Sequence, residues 1–182
     1  EADINYKITA VDISEQMLEQ LRKWVNSRNF INSPASSVKI VNADGIDFLK
    51  QTNKKFDIIY CGWALPYFNH KILLKLFNNV LNEGGIVALI ANSSGTLKNM
   101  EEIFINVMRE NENQIVKSMD ITYNLPNGKK ELNRWFSNYG FTCLNIDEGE
   151  VVFSFRQPEQ LLDWVNKTGA VAGTAQIFSD YN

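Results

Sequence analysis

No apolar run in this 182-residue chain approaches the roughly 20 residues that a membrane-crossing helix needs. A helical membrane span is therefore not expected. Cysteine is scarce, with only Cys61 and Cys143, far apart and in no Cys-x-x-Cys arrangement. Neither a disulfide framework nor a thiolate zinc site is indicated, no metal is expected, and a reducing cytoplasm fits best. Positive charge has no surplus: 18 lysines and arginines against 21 acidic residues leave a net charge of −3. That gives no footprint for a polyphosphate partner, so nucleic acid is not expected, and the pairs Lys54-Lys55 and Lys129-Lys130 read as solvated surface. No repeat, low-complexity tract or linker divides the chain. Its length suits one domain, and hydrophobic and charged fractions of 45% and 21% are those of a soluble globular protein. No cationic segment precedes an apolar one at the start, and the first residue is Glu1 rather than methionine, so this is not expected to be the start of translation.

What is present is an alternation of short β-branched runs with helical periodicity. Lys7 to Val11 reads as a strand closed by Asp12, and Met17, Leu18, Leu21, Trp24 and Val25 recur at helical spacing behind it. A polar loop is expected over 26–37. Val38 to Val41 is a second strand, ending in the turn Asn42-Ala43-Asp44-Gly45, and Phe56 to Tyr60 is a third, followed by the irregular Cys61-Gly62-Trp63-Ala64-Leu65-Pro66. His70 to Asn82 has the pattern of a helix stopped by Glu83-Gly84-Gly85. Ile86 to Ala91 is apolar enough for a parallel strand covered on both faces in the middle of a sheet. Helices are predicted over 97–110, over 129–139 with Gly140 as C-cap, and over 158–167 with Leu161, Leu162, Trp164 and Val165 inward and Gly169 past its end. Phe141 to Asp147 and Glu150 to Phe155 read as a hairpin about Glu148-Gly149. The fold class expected is α/β: a Rossmann-like, mainly parallel sheet with helices on both faces and an antiparallel hairpin at one edge.

In such a sheet ligands bind at the carboxyl ends of the strands. A carboxylate at the end of the strand closed by Asp12 can accept both hydroxyl hydrogens of a ribose, although Asp12 is equally well placed to cap the helix behind it. Asp44 can accept from an exocyclic amine while a neighbouring backbone amide donates to the ring, or it can form an ordinary Asx turn before Gly45. Cys61 to Trp63 mark a third strand end.

In their order these features resemble the class I S-adenosylmethionine-dependent methyltransferases, in particular the small-molecule group related to the malonyl-acyl-carrier O-methyltransferases. The resemblance runs through VDISEQML (11–18), VNADGIDF (41–48), FDIIYCGWALPYF (56–68) and LNEGGIVALI (81–90), and less specifically through NYGF (138–141). It implies that Asp12 holds the ribose of S-adenosylmethionine, that Ile13 and Met17 pack near the adenine, and that Asp44 with Gly45 recognises the adenine edge. Cys61 and Gly62 would border the methionine portion, with Trp63 and Tyr67 towards a small-molecule or carrier-bound acceptor. No catalytic base is implied and the oligomeric state stays open.

Two departures accompany it. A GxGxG-like loop after a first, central strand is absent, since no two of the ten glycines are separated by one residue. The expectation is that an N-terminal segment is missing from this chain or that a partner supplies the strand between those ending at Asp12 and Tyr60. Glu83 stands where many relatives carry proline. Plainer readings remain beside these: His70 as an exposed helix-start residue rather than a general base, Cys61 as a small apolar lining residue, and Tyr60, Trp63, Tyr67 and Phe68 as core aromatics. Two other functions compete, a methyltransferase-fold subunit without turnover and a nicotinamide-dependent dehydrogenase. The turn at Asp44 disfavours the second.

Overall fold

The computed structural model describes residues 6–27, 37–116, 124–168 and 178. Most of the loop expected over 26–37 and the cap at Gly169 lie outside them. Strand β1 (Lys7–Asp12) pairs in parallel with β2 (Ser37–Asn42), and β3 (Phe56–Gly62) pairs in parallel with β4 (Leu81–Ile90). Between them run α1 (Glu15–Ser27), α2 (Gly45–Gln51), a 3-10 turn over Leu65–Tyr67, and α3 (His70–Val80). Helices α4 (Lys98–Glu110), α5 (Gly128–Ser137) and α6 (Pro158–Thr168) follow. The architecture is the α/β alternation read from the sequence, with the parallel pairs forming two separate two-stranded sheets: β1 and β3 are not hydrogen-bonded to each other. Helix α2 packs against both β1 and α3 and so joins the two halves.

The core is built on α3. Its Leu73, Leu74, Phe77 and Val80 recur at spacings of three and four and are all buried, Leu74 completely at 0% exposure. Asn69 starts the helix by accepting from the backbone N–H of Lys71 (3.0 Å) and of Ile72 (3.4 Å) on its side-chain oxygen. Ile59, Cys61, Val87 and Leu89, the alternate residues on one face of the β3–β4 sheet, pack on this stripe together with Ile46 and Leu49 of α2 and Leu132, Trp135 and Phe136 of α5. The opposite face carries Ile58, Tyr60, Ile86 and Ile90, all exposed among the described residues. The expectation that β4 is covered on both faces in the middle of a sheet therefore fails for the described residues: its apolar run serves one packed face and one open one.

Other boundaries shift for local reasons. The helix ends at Val80, before Glu83-Gly84-Gly85, because Leu81 already turns extended and pairs with Phe56. The glycines fall inside β4 instead, where the register jumps between Phe56↔Leu81 and Ile58↔Ile86, and Gly84 takes a left-handed φ of 73°. In α1 the buried stripe is Leu18 with Leu21 and Val25 half-buried, while Met17 and Trp24 lie exposed to one side. In α6 Val165 is buried but Leu162 is exposed.

The hairpin expected over 141–155 is not formed. Each arm is drawn to a different helix: Phe141 packs edge-on to Phe136 of α5 (5.4 Å between ring centres), whereas Phe153 and Phe155 lie 4.9 and 5.9 Å from Trp164 of α6. Separate aromatic anchors leave no shared ladder between the arms, and the intervening Val151 and Val152 are exposed. At the end of α5, Gly140 has the left-handed φ of 83° that the C-cap reading requires.

Truncating the centre of the α3 stripe should open a cavity: Leu74→Ala is expected to lower unfolding free energy by about 2–5 kcal/mol. The exposed Leu162→Ala should change it by no more than about 0.5 kcal/mol. Urea denaturation of the two variants checks the contrast, and equal losses would place the core elsewhere.

Candidate active site at the strand carboxyl ends

The parallel register sets Asp12 opposite Asn42, so the ends of β1 and β2 lie side by side and bring the turns carrying Asp12 and Asp44 together. Asn42 fastens this edge. Its side-chain amide donates to the carbonyl oxygens of Asp12 (3.2 Å) and Ile13 (3.0 Å), and the N–H of Ala43 donates to the same Asp12 carbonyl (3.1 Å). In the sequence Asn42 reads only as a turn residue. Its latch across two strands depends on register, which the sequence does not display.

Both carboxylates brace the backbone that follows them. Asp12 Oδ1 accepts from the N–H of Ser14 (2.8 Å), and Asp44 Oδ1 accepts from the N–H of Asp47 at the start of α2 (3.0 Å). Asp12 thus forms an Asx turn, and Ser14, whose Oγ accepts from the Met17 N–H (3.4 Å), is the residue that caps α1; Asp44, read as an Asx turn, instead caps α2. The second oxygen, Oδ2, of each has no partner among the described residues, so one carboxylate can hold its turn and still accept from a ligand. Ile13 and Met17 stand beside Asp12 with 73% and 60% exposure, offering apolar surface that no protein group covers. Gly45 follows Asp44, and a Cβ there would come within 3.1 Å of the Phe68 ring. Phe68, in the segment after β3, therefore closes against the end of β2 and ties the two sheets' carboxyl edges together.

The third strand end divides into a buried and an exposed part. Cys61 points into the core at 7% exposure, and burial raises its thiol pKa, only partly offset by the backbone hydrogen bond from Ala64. It is a protonated lining group and not a nucleophile. Gly62 lies under the Tyr60 ring, whose Cε1 would be 2.8 Å from a Cβ at that position. Trp63 then enters the left-handed region at φ 57°, rare for a bulky residue, while its N–H donates to Ile90 at the end of β4 (2.8 Å). Tyr60, Trp63 and Tyr67 are all well exposed, so the core reading of these three aromatics does not hold, whereas Phe68 does pack against the core.

His70 sits apart from these groups, stacked face to face on Trp135 of α5 with ring centres 3.8 Å apart and planes 4° from parallel. It is neither free at a helix start nor aimed at the carboxylates. A connected set of contacts runs outward from it: Glu131 accepts from the N–H of Asn127 (2.7 Å) and from Arg134 (2.7 Å), and Ser94 after β4 donates to the Asn127 side chain (3.4 Å). The Asn127 bond, with smaller help from Arg134 and Trp135, holds the Glu131 carboxyl below its usual range. A depression of about 310 Å³ lies between β2 and α2 along Lys39, Val41, Ala43, Asp47 and Phe48, beside the Asp44 turn, and none of the candidate cofactor or acceptor residues lines it. Among the described residues no group of acidic, histidine and cysteine side chains is arranged to hold a metal, and no helix is long and apolar enough to cross a membrane.

Parallel strands feed helices, and carboxylates stand at adjoining strand ends, the edge at which open α/β sheets bind ligands. Residues 2–89 match the sequence family described as "Methyltransferase domain". No curated protein matches it. Similar solved structures include "The structure of PKMT2 from Rickettsia typhi", at 19% identity and a TM-score of 0.40 over 58% of this chain and 20% of that one. Another is the same protein in complex with AdoHcy, at 18% identity and a TM-score of 0.44 over 92% of this chain and 26% of that one. The chain thus spans about a fifth to a quarter of the length of these two structures.

The His70 stack has a pH signature. Burial first, then the charge of Lys71, lowers the His70 pKa, and Glu131 opposes them. The unfolded state then binds the proton more readily than the folded one, so this contribution to stability is complete above the ordinary imidazole value of about 6.5 and is lost as pH falls through the lower folded value. Glu131 acts in a separate, more acidic window, losing its contribution as pH falls from the ordinary carboxylate range through its lowered folded value. His70→Phe keeps a ring over Trp135 without the titration. Thermal melts from pH 8 to 5 should show wild type losing ground to this variant below about pH 6.5; parallel curves would contradict the assignment.

Proposed function

We propose that this chain binds S-adenosylmethionine across the carboxyl ends of β1, β2 and β3 and transfers its methyl group to a small-molecule or carrier-bound acceptor. One observation carries the reading. At two adjoining strand ends a carboxylate is held in place through one oxygen while the other has no partner among the described residues, within the stretch that matches the methyltransferase domain family. Asp12 Oδ2 is the acceptor for the ribose hydroxyls and Asp44 Oδ2 for the adenine amino group, with Ile13 and Met17 supplying apolar surface to the base.

When bound, the cofactor supplies a methyl group on a sulfonium that is already reactive, and what the transfer asks of the protein is orientation and exclusion of water. Asp12 and Asp44 would hold that cofactor, with Ile13 and Met17 against its base, and the acceptor would give up its proton to solvent. Gly62 borders the methionine end, while Cys61, buried on the core face of β3 and protonated, does not compete as a nucleophile. Trp63 and Tyr67 stand on the side from which an acceptor enters.

Asparagine separates the structural from the binding role of the two aspartates. It retains a side-chain oxygen for the turn or cap but replaces the second acceptor with a donor. Asp12→Asn and Asp44→Asn should each keep the unfolding free energy within about 0.5 kcal/mol of wild type. Each should weaken S-adenosylhomocysteine about ten- to a hundredfold in calorimetric titration. Unchanged affinity in both folded variants would remove the carboxylates from the site.

A further inference from the structure

Three loops meet at the carboxyl edge of the β3–β4 sheet. The segment 63–69 is tied to β4 by the Trp63 N–H bond to Ile90, and the segment 91–97 is tied to 124–127 by the Ser94 N–H bond to the Pro126 carbonyl (2.8 Å) and by Ser94 to Asn127. None of these three segments contains an acidic or basic residue. Beside them, the Glu131 carboxylate is engaged by Asn127 and Arg134. What the edge presents is aromatic surface, from Tyr60, Trp63 and Tyr67 at 70%, 57% and 78% exposure, together with the exposed side chains of Asn92, Ser94 and Thr96.

Trp63 is held there at a conformational cost. Both bulky residues with left-handed backbone among the described residues, Trp63 (φ 57°) and Leu97 (φ 61°), lie in these loops. Glycine would occupy position 63 without strain, yet the chain carries its largest side chain there and leaves it more than half exposed. Core packing does not account for that choice.

We infer that Trp63 is a specificity-determining residue that stacks on the acceptor, and that the acceptor is planar and uncharged, an aromatic or heteroaromatic ring bearing hydroxyl or amide groups. This deepens the methyl-transfer reading and rests on it. A flat ring gains contact area against the indole and the neighbouring tyrosines, and its polar substituents find the Asn92, Ser94 and Thr96 side chains. A carboxylate, phosphate or ammonium entering the same edge would be desolvated with no charged residue in the three loops to meet it.

Three ring-matched probes test this: 4-hydroxybenzamide, 4-hydroxybenzoate and 4-hydroxybenzylamine, titrated by saturation-transfer NMR with and without S-adenosylhomocysteine. The neutral amide should bind at least tenfold more tightly than either charged analogue. Trp63→Gly should weaken it at least tenfold while melting at or above the wild-type temperature, and Trp63→Phe, which restores a ring, should recover most of the affinity. Equal or undetectable binding of all three probes, tighter binding of the anion or the cation, or indifference to Trp63→Gly would overturn the inference. The two readings fail separately: selective amide binding without any S-adenosylhomocysteine binding removes methyl transfer and keeps the aromatic edge, and the converse keeps methyl transfer and removes the edge.

Discussion

A carboxylate at the end of a parallel strand has two oxygens, and the use this chain makes of the first decides where the second is found. Asp12 and Asp44 each spend Oδ1 on a backbone N–H of the turn or helix that follows, at 2.8 and 3.0 Å. Those bonds fix the angle at which α1 and α2 leave their strands, and with it the position of Ile13, Met17 and Gly45. Capping and ligand binding are commonly weighed as alternatives for such a residue. In the proposed site the same bond that holds the turn or helix pre-positions the second oxygen, so little ordering would remain to be done when a ligand arrives. Asn42 adds a third restraint by holding the β1 exit from the neighbouring strand.

The second half of the molecule is organised by α3. Its buried stripe receives one face of the β3–β4 sheet, the short α2 and the aromatic side of α5. Through α2 and the contact of Phe68 on Gly45 the two sheets' carboxyl edges are kept in one neighbourhood. The His70–Trp135 stack and the Glu131 contacts then hold α5, and with it Asn127 and Ser94, beside the end of β4. A residue that attracts attention as the sole histidine thus serves the frame of the site and does not face its carboxylates.

Much of this was legible in the sequence because it is local. The alternation of β-branched runs with helical stripes, the turns at Asp12 and Asp44, the cap at Gly140, and the family resemblance all depend on residues within a few positions of one another. What was not legible depends on pairing across distance. The hairpin over 141–155 was misread because two strand-like runs found separate aromatic partners on α5 and α6 instead of each other. Glu83-Gly84-Gly85 reads as a helix stop, yet it lies within β4 because Leu81 is claimed by Phe56. The roles of Asn42 and Phe68 exist only in the folded register. The backbone conformation of Trp63 has no sequence signal at all, since glycine, asparagine or aspartate would have been the residues to announce it.

The central claim is that the second oxygen of Asp12 recognises the cofactor's ribose, and a thermodynamic cycle isolates that contact. The affinity of S-adenosylhomocysteine and of its 2′,3′-dideoxy analogue is measured for wild type and for Asp12→Asn. If Asp12 accepts from the ribose hydroxyls, removing those hydroxyls after the substitution should cost little more, so the two losses are strongly non-additive. Losses that simply add would show that Asp12 and the ribose do not touch, and would contradict the account at its base.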